Sequence, residues 1–270
     1  MALSPFQRRI CRLLAEVRRR SGESYVAGGA ALGEALGSLR ISRDIDLFHD
    51  ADEALHASVA ADRAQLVAAG LDFRVVHERR GFVEAEIRDG EQRLLLQWAR
   101  DSAFRFLPLV EHPDFGLTLH PLDLATNKLL AAVGRLEVRD WVDLVESCAR
   151  LQPLGYLAWA ACAKDPGFNP RSILEQAARG ARYSQAELEE LEFDGPPPEL
   201  ALLSERWHAE LDAARAVVGL LPASEIGTLV LVAAADVPLC ASPAELPALL
   251  AARAVRFHRG CLRGAWPELR

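Results

Sequence analysis

The chain has 270 residues and a formal net charge of −7; half of its residues are apolar and about a quarter are charged. That balance excludes a disordered chain, and the length admits one large domain or two smaller ones with a sizeable core. The longest uncharged apolar runs, between Arg150 and Lys164 and between Glu225 and Asp236, fall short of the ~20 residues that span a bilayer. Arg8, Arg9 and Arg12 open the chain without an apolar leader core, so no signal peptide is expected. Five widely spaced cysteines form no C-x-x-C and the seven histidines no paired-ligand spacing, which argues against a disulfide framework or zinc site and points to a reducing, cytoplasmic setting. One count is unusual. Of 31 basic residues only Lys128 and Lys164 are lysine, so each is a place to look.

In chain order, residues 3–20 carry Phe6, Ile10, Leu13, Leu14 and Val17 at helical spacing, with arginines on the other face. Tyr25 and Val26 read as a short strand entering Gly28-Gly29, and 30–37 as an alanine-rich helix. Residues 44–48 alternate as a strand, and 52–69 form a helix stopped by Gly70. Runs 72–78, 81–88 and 92–99 read as strands, with Asp89-Gly90 a strong hairpin signal. Two helices are expected at 122–134 and 138–151. Beyond 151 the pattern is mostly helical: 171–179, an acidic helix at 184–192, a break at Gly195-Pro196-Pro197-Pro198, then 199–219. Residues 226–235 could be a strand and 243–258 look helical. The fold class expected is α+β, a mixed sheet flanked by helices followed by a mainly helical C-terminal region, divided as 1–150 and 151–270.

Four features could carry chemistry. Gly28-Gly29 between strand and helix would let backbone N–H groups approach a phosphate, though a tight turn without a ligand has the same sequence. Asp44 and Asp46, two apart on a strand, would face one side while Ile45 and Leu47 enter the core. Two adjacent carboxylates repel, and Mg²⁺ is a natural neutraliser; solvated acids at a strand end are the plain alternative. Lys128 sits in the helical run Asp123-Leu124-Ala125-Thr126-Asn127-Lys128. Arg139 and Asp143 share a helix face as i, i+4 partners, which alone predicts a surface ion pair of a few tenths of a kcal/mol.

Together these blocks resemble a known family. Tyr25-Val26-Ala27-Gly28-Gly29-Ala30-Ala31-Leu32 followed by Ser42-Arg43-Asp44-Ile45-Asp46-Leu47-Phe48 is similar to the G-G…D-x-D signature of the DNA polymerase beta nucleotidyltransferase superfamily. Asp123 to Lys128, with Arg135, Arg139-Asp140, Asp143 and Leu144, resembles the closing motif of its AbiEii/AbiGii toxin branch. The resemblance spans about residues 20–150. It implies a nucleotidyltransferase-type core that moves NMP from an NTP to an acceptor. Gly28 and Gly29 would hold the triphosphate, Asp44 and Asp46 would hold Mg²⁺, and Lys128 and Arg139 would meet the nucleotide. Asp143 would complete the pocket by positioning Lys128 or helping the acceptor. It further implies a tRNA acceptor and a toxin–antitoxin or phage-defence role with a cognate antitoxin; the acidic balance mildly favours a small-molecule or protein acceptor instead, and the short apolar runs leave no membrane partner.

One position departs from that pattern. The superfamily places a third acid on a later strand, where this chain has Leu94-Leu95-Leu96-Gln97-Trp98. Gln97 coordinates Mg²⁺ only weakly and cannot act as a base. Three readings stay open: Glu84, Glu86 or Asp101 supplies the acid; Asp44 and Asp46 work with another base such as Asp143; or the chain binds nucleotide without transferring it, as a regulatory protein. A small-molecule adenylyltransferase is a further alternative. Arg18, Arg19, Arg20, Arg253, Arg256, Arg259 and Arg263 are candidates for backbone contacts if the acceptor is RNA. Lys164, before Asp165-Pro166-Gly167, reads as an incidental loop residue.

Overall fold

A computed structural model describes residues 3–180 and 182–262. The chain divides into two compact units, 1–103 with 108–120, and 104–107 with 121–270.

The first unit opens with α1 (Pro5–Ser21). Ser4 and Gln7 form a reciprocal capping box at its start, and Gly22 closes it in the left-handed region. Strand β1 (Ser24–Ala27) leads directly into α2 (Gly28–Leu36). Then follow β2 (Asp44–His49), α3 (Asp52–Ala68), β3 (Asp72–Arg79), β4 (Phe82–Asp89) and β5 (Gln92–Arg100). Two three-residue strands, β6 (Val110–His112) and β7 (Gly116–Thr118), complete a seven-stranded mixed sheet of order β3-β4-β5-β2-β1-β7-β6. β2 runs antiparallel to β1 and parallel to β5.

Alternation sorts the two sheet faces. Ile45, Leu47, Val83, Ala85, Leu96 and Trp98 are buried. Trp98 donates its indole N–H to Asp62 of α3 at 2.9 Å, which places that helix on the apolar face. Asp44, Asp46, Glu84 and Gln97 therefore stand on the opposite face, each half-buried.

The second unit holds α4 (Pro121–Arg135), α5 (Val138–Arg150), α6 (Leu154–Ala161), α7 (Pro170–Gly180), α8 (Gln185–Glu189) and α9 (Leu200–Leu220). A two-stranded antiparallel sheet of β8 (Thr228–Val232) and β9 (Val255–Arg259) flanks α10 (Leu246–Ala251). Every residue of α6 is buried, which explains a helix apolar on all sides and far too short for a membrane. Gly155 makes that burial possible: a Cβ there would come within 3.0 Å of the Ala214 backbone on α9. No described helix is long and apolar enough to cross a membrane.

Two expectations change. The unit boundary falls at 120/121, not 150/151, because α4 and α5 pack into the core of α6, α7 and α9. Residues 243–258 are not one helix. α10 ends at Ala251, Arg253 takes a positive φ, and the alternation Val255-Arg256-Phe257-His258 runs on as β9.

Candidate functional site

The first group of candidate residues gathers where β1 passes into α2. Gly28 adopts φ +65°, and a Cβ there would overlap Oδ2 of Asp46. Only glycine lets the backbone take that conformation and approach the carboxylate so closely. Gly29 follows as a buried residue in the first turn of α2, and Ala27 provides no side-chain cap for that turn. The opening N–H groups of α2 thus lie beside the Asp46 side chain.

Asp46 is in register with Ala27 on one side and Gln97 on the other. Gln97 is in register with Glu84, and its Nε2 donates to Glu84 Oε1 at 2.9 Å. One row across the sheet therefore reads Ala27, Asp46, Gln97, Glu84. Asp44 lies two residues along the same face, its Oδ1 accepting from the Ser42 hydroxyl at 3.2 Å. Glu86 shares that face but is committed elsewhere, with Arg74 and Arg88 each 2.8 Å from its Oε2. The Arg88 hydrogen bond and then Arg74 hold its carboxyl below the usual range. Asp101 lies past the end of β5, its N–H bonded to the carbonyl of His49. Among the described residues, no three acidic, histidine or cysteine side chains form a group that could hold a metal.

The second group belongs to the second unit. Lys128 of α4 is buried, its Nζ 2.8 Å from Asp140 Oδ1 and 3.0 Å from Asp143 Oδ2. Arg135 adds a fork to Asp140, with Nε 2.6 Å from Oδ2. Burial alone would lower the Lys128 pKa, but Asp143 and Asp140 reverse this and hold it above its ordinary value. Burial likewise favours a raised Asp140, and the Arg135 bond with the Lys128 charge holds it low instead. Asp143 lies where it can position Lys128. Arg139 sits half-buried in the first turn of α5.

Sequence reasoning missed Asp140 as a Lys128 partner and misread Lys164. The Lys164 ammonium is buried, 2.8 Å from Asp123 Oδ1, and donates to the Asp123 carbonyl and to Asn127 Oδ1 at 2.7 Å. Its three N–H donors meet three acceptors. Asp123 also accepts from the backbone N–H groups of Phe106 and Leu107, both at 3.0 Å. The signal was the i, i+4 pair Asp123 and Asn127; its partner 37 residues away from Asn127 was invisible.

The arginines proposed for nucleic-acid contact divide. Arg18 is fully buried and donates to the Phe115 carbonyl, so it is a core residue. Arg19 reaches the carbonyls of His112 and Pro113, and Arg256 pairs with Asp236 at 2.6 Å. Arg263 lies outside the described residues. The five cysteines are free thiols.

The chain matches no protein-family model and no curated protein sequence. Solved structures similar to it include JHP933 from Helicobacter pylori, at 15% identity and TM-score 0.48, covering 78% of this chain and 91% of that one. MenT4, a nucleotidyltransferase toxin from Mycobacterium tuberculosis, is similar at 17% identity and TM-score 0.47, covering 80% and 86%. Cid1, an RNA terminal uridylyl transferase, gives 14% identity and TM-score 0.28 over 59% of this chain and 48% of that one. Likenesses this distant leave the functional argument to the residues themselves.

Proposed function

We propose that the chain is a Mg²⁺-dependent nucleotidyltransferase that moves NMP from an NTP to an acceptor, tRNA or protein. The observation that carries this reading is the juxtaposition of Gly28 with Asp46. It sets the uncapped start of α2 beside a carboxylate, on the sheet face that also carries Asp44. Backbone N–H groups at a helix start suit phosphate oxygens. The donor chemistry supports Mg²⁺, which typically takes one or two carboxylates and fills its remaining positions with water and substrate phosphates.

Bound Mg²⁺ supplies charge neutralisation at the reacting phosphate. The α2 amides would orient the triphosphate, and Asp44 and Asp46 would hold the cation. The acceptor hydroxyl attacks the α-phosphorus in line. Its oxygen bonds to phosphorus, the bond to the β-phosphate oxygen breaks, and pyrophosphate leaves. The hydroxyl proton passes to a carboxylate base. Lys128 and Arg139 are assigned to the nucleotide on the basis of the resemblance.

The test uses α-labelled NTPs with Mg²⁺, total tRNA and cell extract. Label is expected on an acceptor with the wild type and at background with Asp46→Ala. Equal labelling by both proteins would sink the reading. The toxin assignment predicts growth arrest on expression, relieved by Asp46→Ala. Gln97 favours one rival, a nucleotide-binding regulatory protein. That protein would retain Mg-NTP on the same residues and label nothing.

A further inference from the structure

We infer that, with a nucleoside triphosphate bound, the Asp44–Asp46 face holds one divalent cation rather than two, and that Gln97 sets that number. The inference rests on the nucleotidyl-transfer reading and concerns how many cations its site takes. In a two-metal displacement the cations lie about 3.5–4 Å apart and clamp both the attacking and the leaving oxygen. Four positive charges then share one small volume, and the protein has to offset the part that the phosphates do not.

Here β2 contributes two carboxylates, and the neighbouring position on β5 contributes none. The residue in register with Asp46 is Gln97, whose oxygen is uncharged. Its amide is fixed by the 2.9 Å bond from Nε2 to Glu84. Glu84 stands one strand farther out, with its backbone about 10 Å from that of Asp46 at ordinary strand spacing. It is already the acceptor of that amide. The other acids of this region are placed no better. Glu86 is held between Arg74 and Arg88. Asp101 is four residues beyond Gln97, past the end of β5, about 13 Å away at extended spacing. The row across the sheet thus supplies enough charge for the cation that accompanies the triphosphate and no third carboxylate for another.

Equilibrium dialysis of the full chain tests this without any catalysis. The probes are Mn²⁺ and the α,β-methylene analogues of ATP, GTP, CTP and UTP, with retained metal and nucleotide counted together. One Mn²⁺ per retained nucleotide is expected for the wild type and two for Gln97→Asp, with Gln97→Glu as a second acidic variant. Two per nucleotide in the wild type would overturn the inference while leaving nucleotide transfer intact. A ratio of one in both acidic variants, with folding confirmed by circular dichroism, would remove Gln97 as the determinant. Retention of no analogue, or retention indifferent to Asp46→Asn, would overturn the nucleotidyl-transfer reading itself.

Discussion

Lys128 leaves α4 and meets two carboxylates of α5, whereas Lys164 approaches α4 from the turn after α6 and meets one carboxylate, one carbonyl and one amide. Both ammonium groups are buried, but their surroundings store charge differently. Around Lys128 two negative charges lean on one cation, and the half-exposed Arg135 balances the set through Asp140. Around Lys164 a single carboxylate is shared between the ammonium and two backbone N–H groups. The first arrangement loses its balance when its lysine goes; the second keeps two of its three donors. A compact ammonium suits either place better than a planar guanidinium fork, which accounts for lysine surviving in a chain that otherwise uses arginine.

The largest expected effect follows from that contrast. Lys128→Met leaves Asp140 and Asp143 facing each other in a buried site and should cost about 3–5 kcal/mol in denaturant unfolding. Lys164→Met leaves Asp123 with its Phe106 and Leu107 donors and should cost less, about 2–3 kcal/mol. Equal losses would show that the backbone donors do not compensate Asp123.

Acid should separate the two units by a similar amount. Burial pushes His49 of β2 down to about 4. Its unfolded value is about 6.5, so the unfolded chain binds the proton first. Stability from the neutral ring is complete above about 6.5 and is lost as pH falls toward 4, about 3 kcal/mol in all. Asp140 is held low, so its contribution is complete above about 3.9 and lost only as pH falls through its folded value. Lys128 is held high, so its contribution is complete below about 10.4 and lost as pH rises through its folded value. Neither window overlaps that of His49. His49→Phe should therefore flatten the unfolding profile between pH 6.5 and 4; an unchanged slope would assign the acid sensitivity elsewhere.

Smaller changes sharpen the picture. Lys128→Arg forces a larger planar group between Asp140 and Asp143 and should cost about 1–3 kcal/mol, with impaired nucleotide use in the labelling assay. Unchanged labelling would take lysine out of the chemistry and leave it a structural cation. Arg135→Gln, at a half-exposed side chain, should cost under about 1 kcal/mol.

Much of the first unit was legible because its signals are local. Alternation around Ile45 and Leu47 named the carboxylate face, Asp89-Gly90 named the hairpin, and glycines marked the turn into α2. The rest depended on partners distant in sequence. Nothing adjacent to Lys164 announces Asp123, 41 residues earlier. Asp140 looked like one more helical acid until α4 and α5 were paired. The strands β6 and β7 are three residues each, too short for a period to show. Val255 to Arg259 did alternate, but the leucine- and alanine-rich run before them masked the change of period.

The short segment 104–107 gives the chain an unusual connectivity. It leaves the first unit, joins the second, and returns before the chain crosses for good at 120/121. The polypeptide therefore passes between the units three times. A cut at 120 yields no independent halves, because Phe106 and Leu107 stay on the wrong side of it, away from Asp123 and from their apolar neighbours Leu122, Leu229 and Leu231. Any fragment holding the second unit would likewise have to carry residues 104–107 along to keep the Asp123 carboxylate supplied with its two backbone donors.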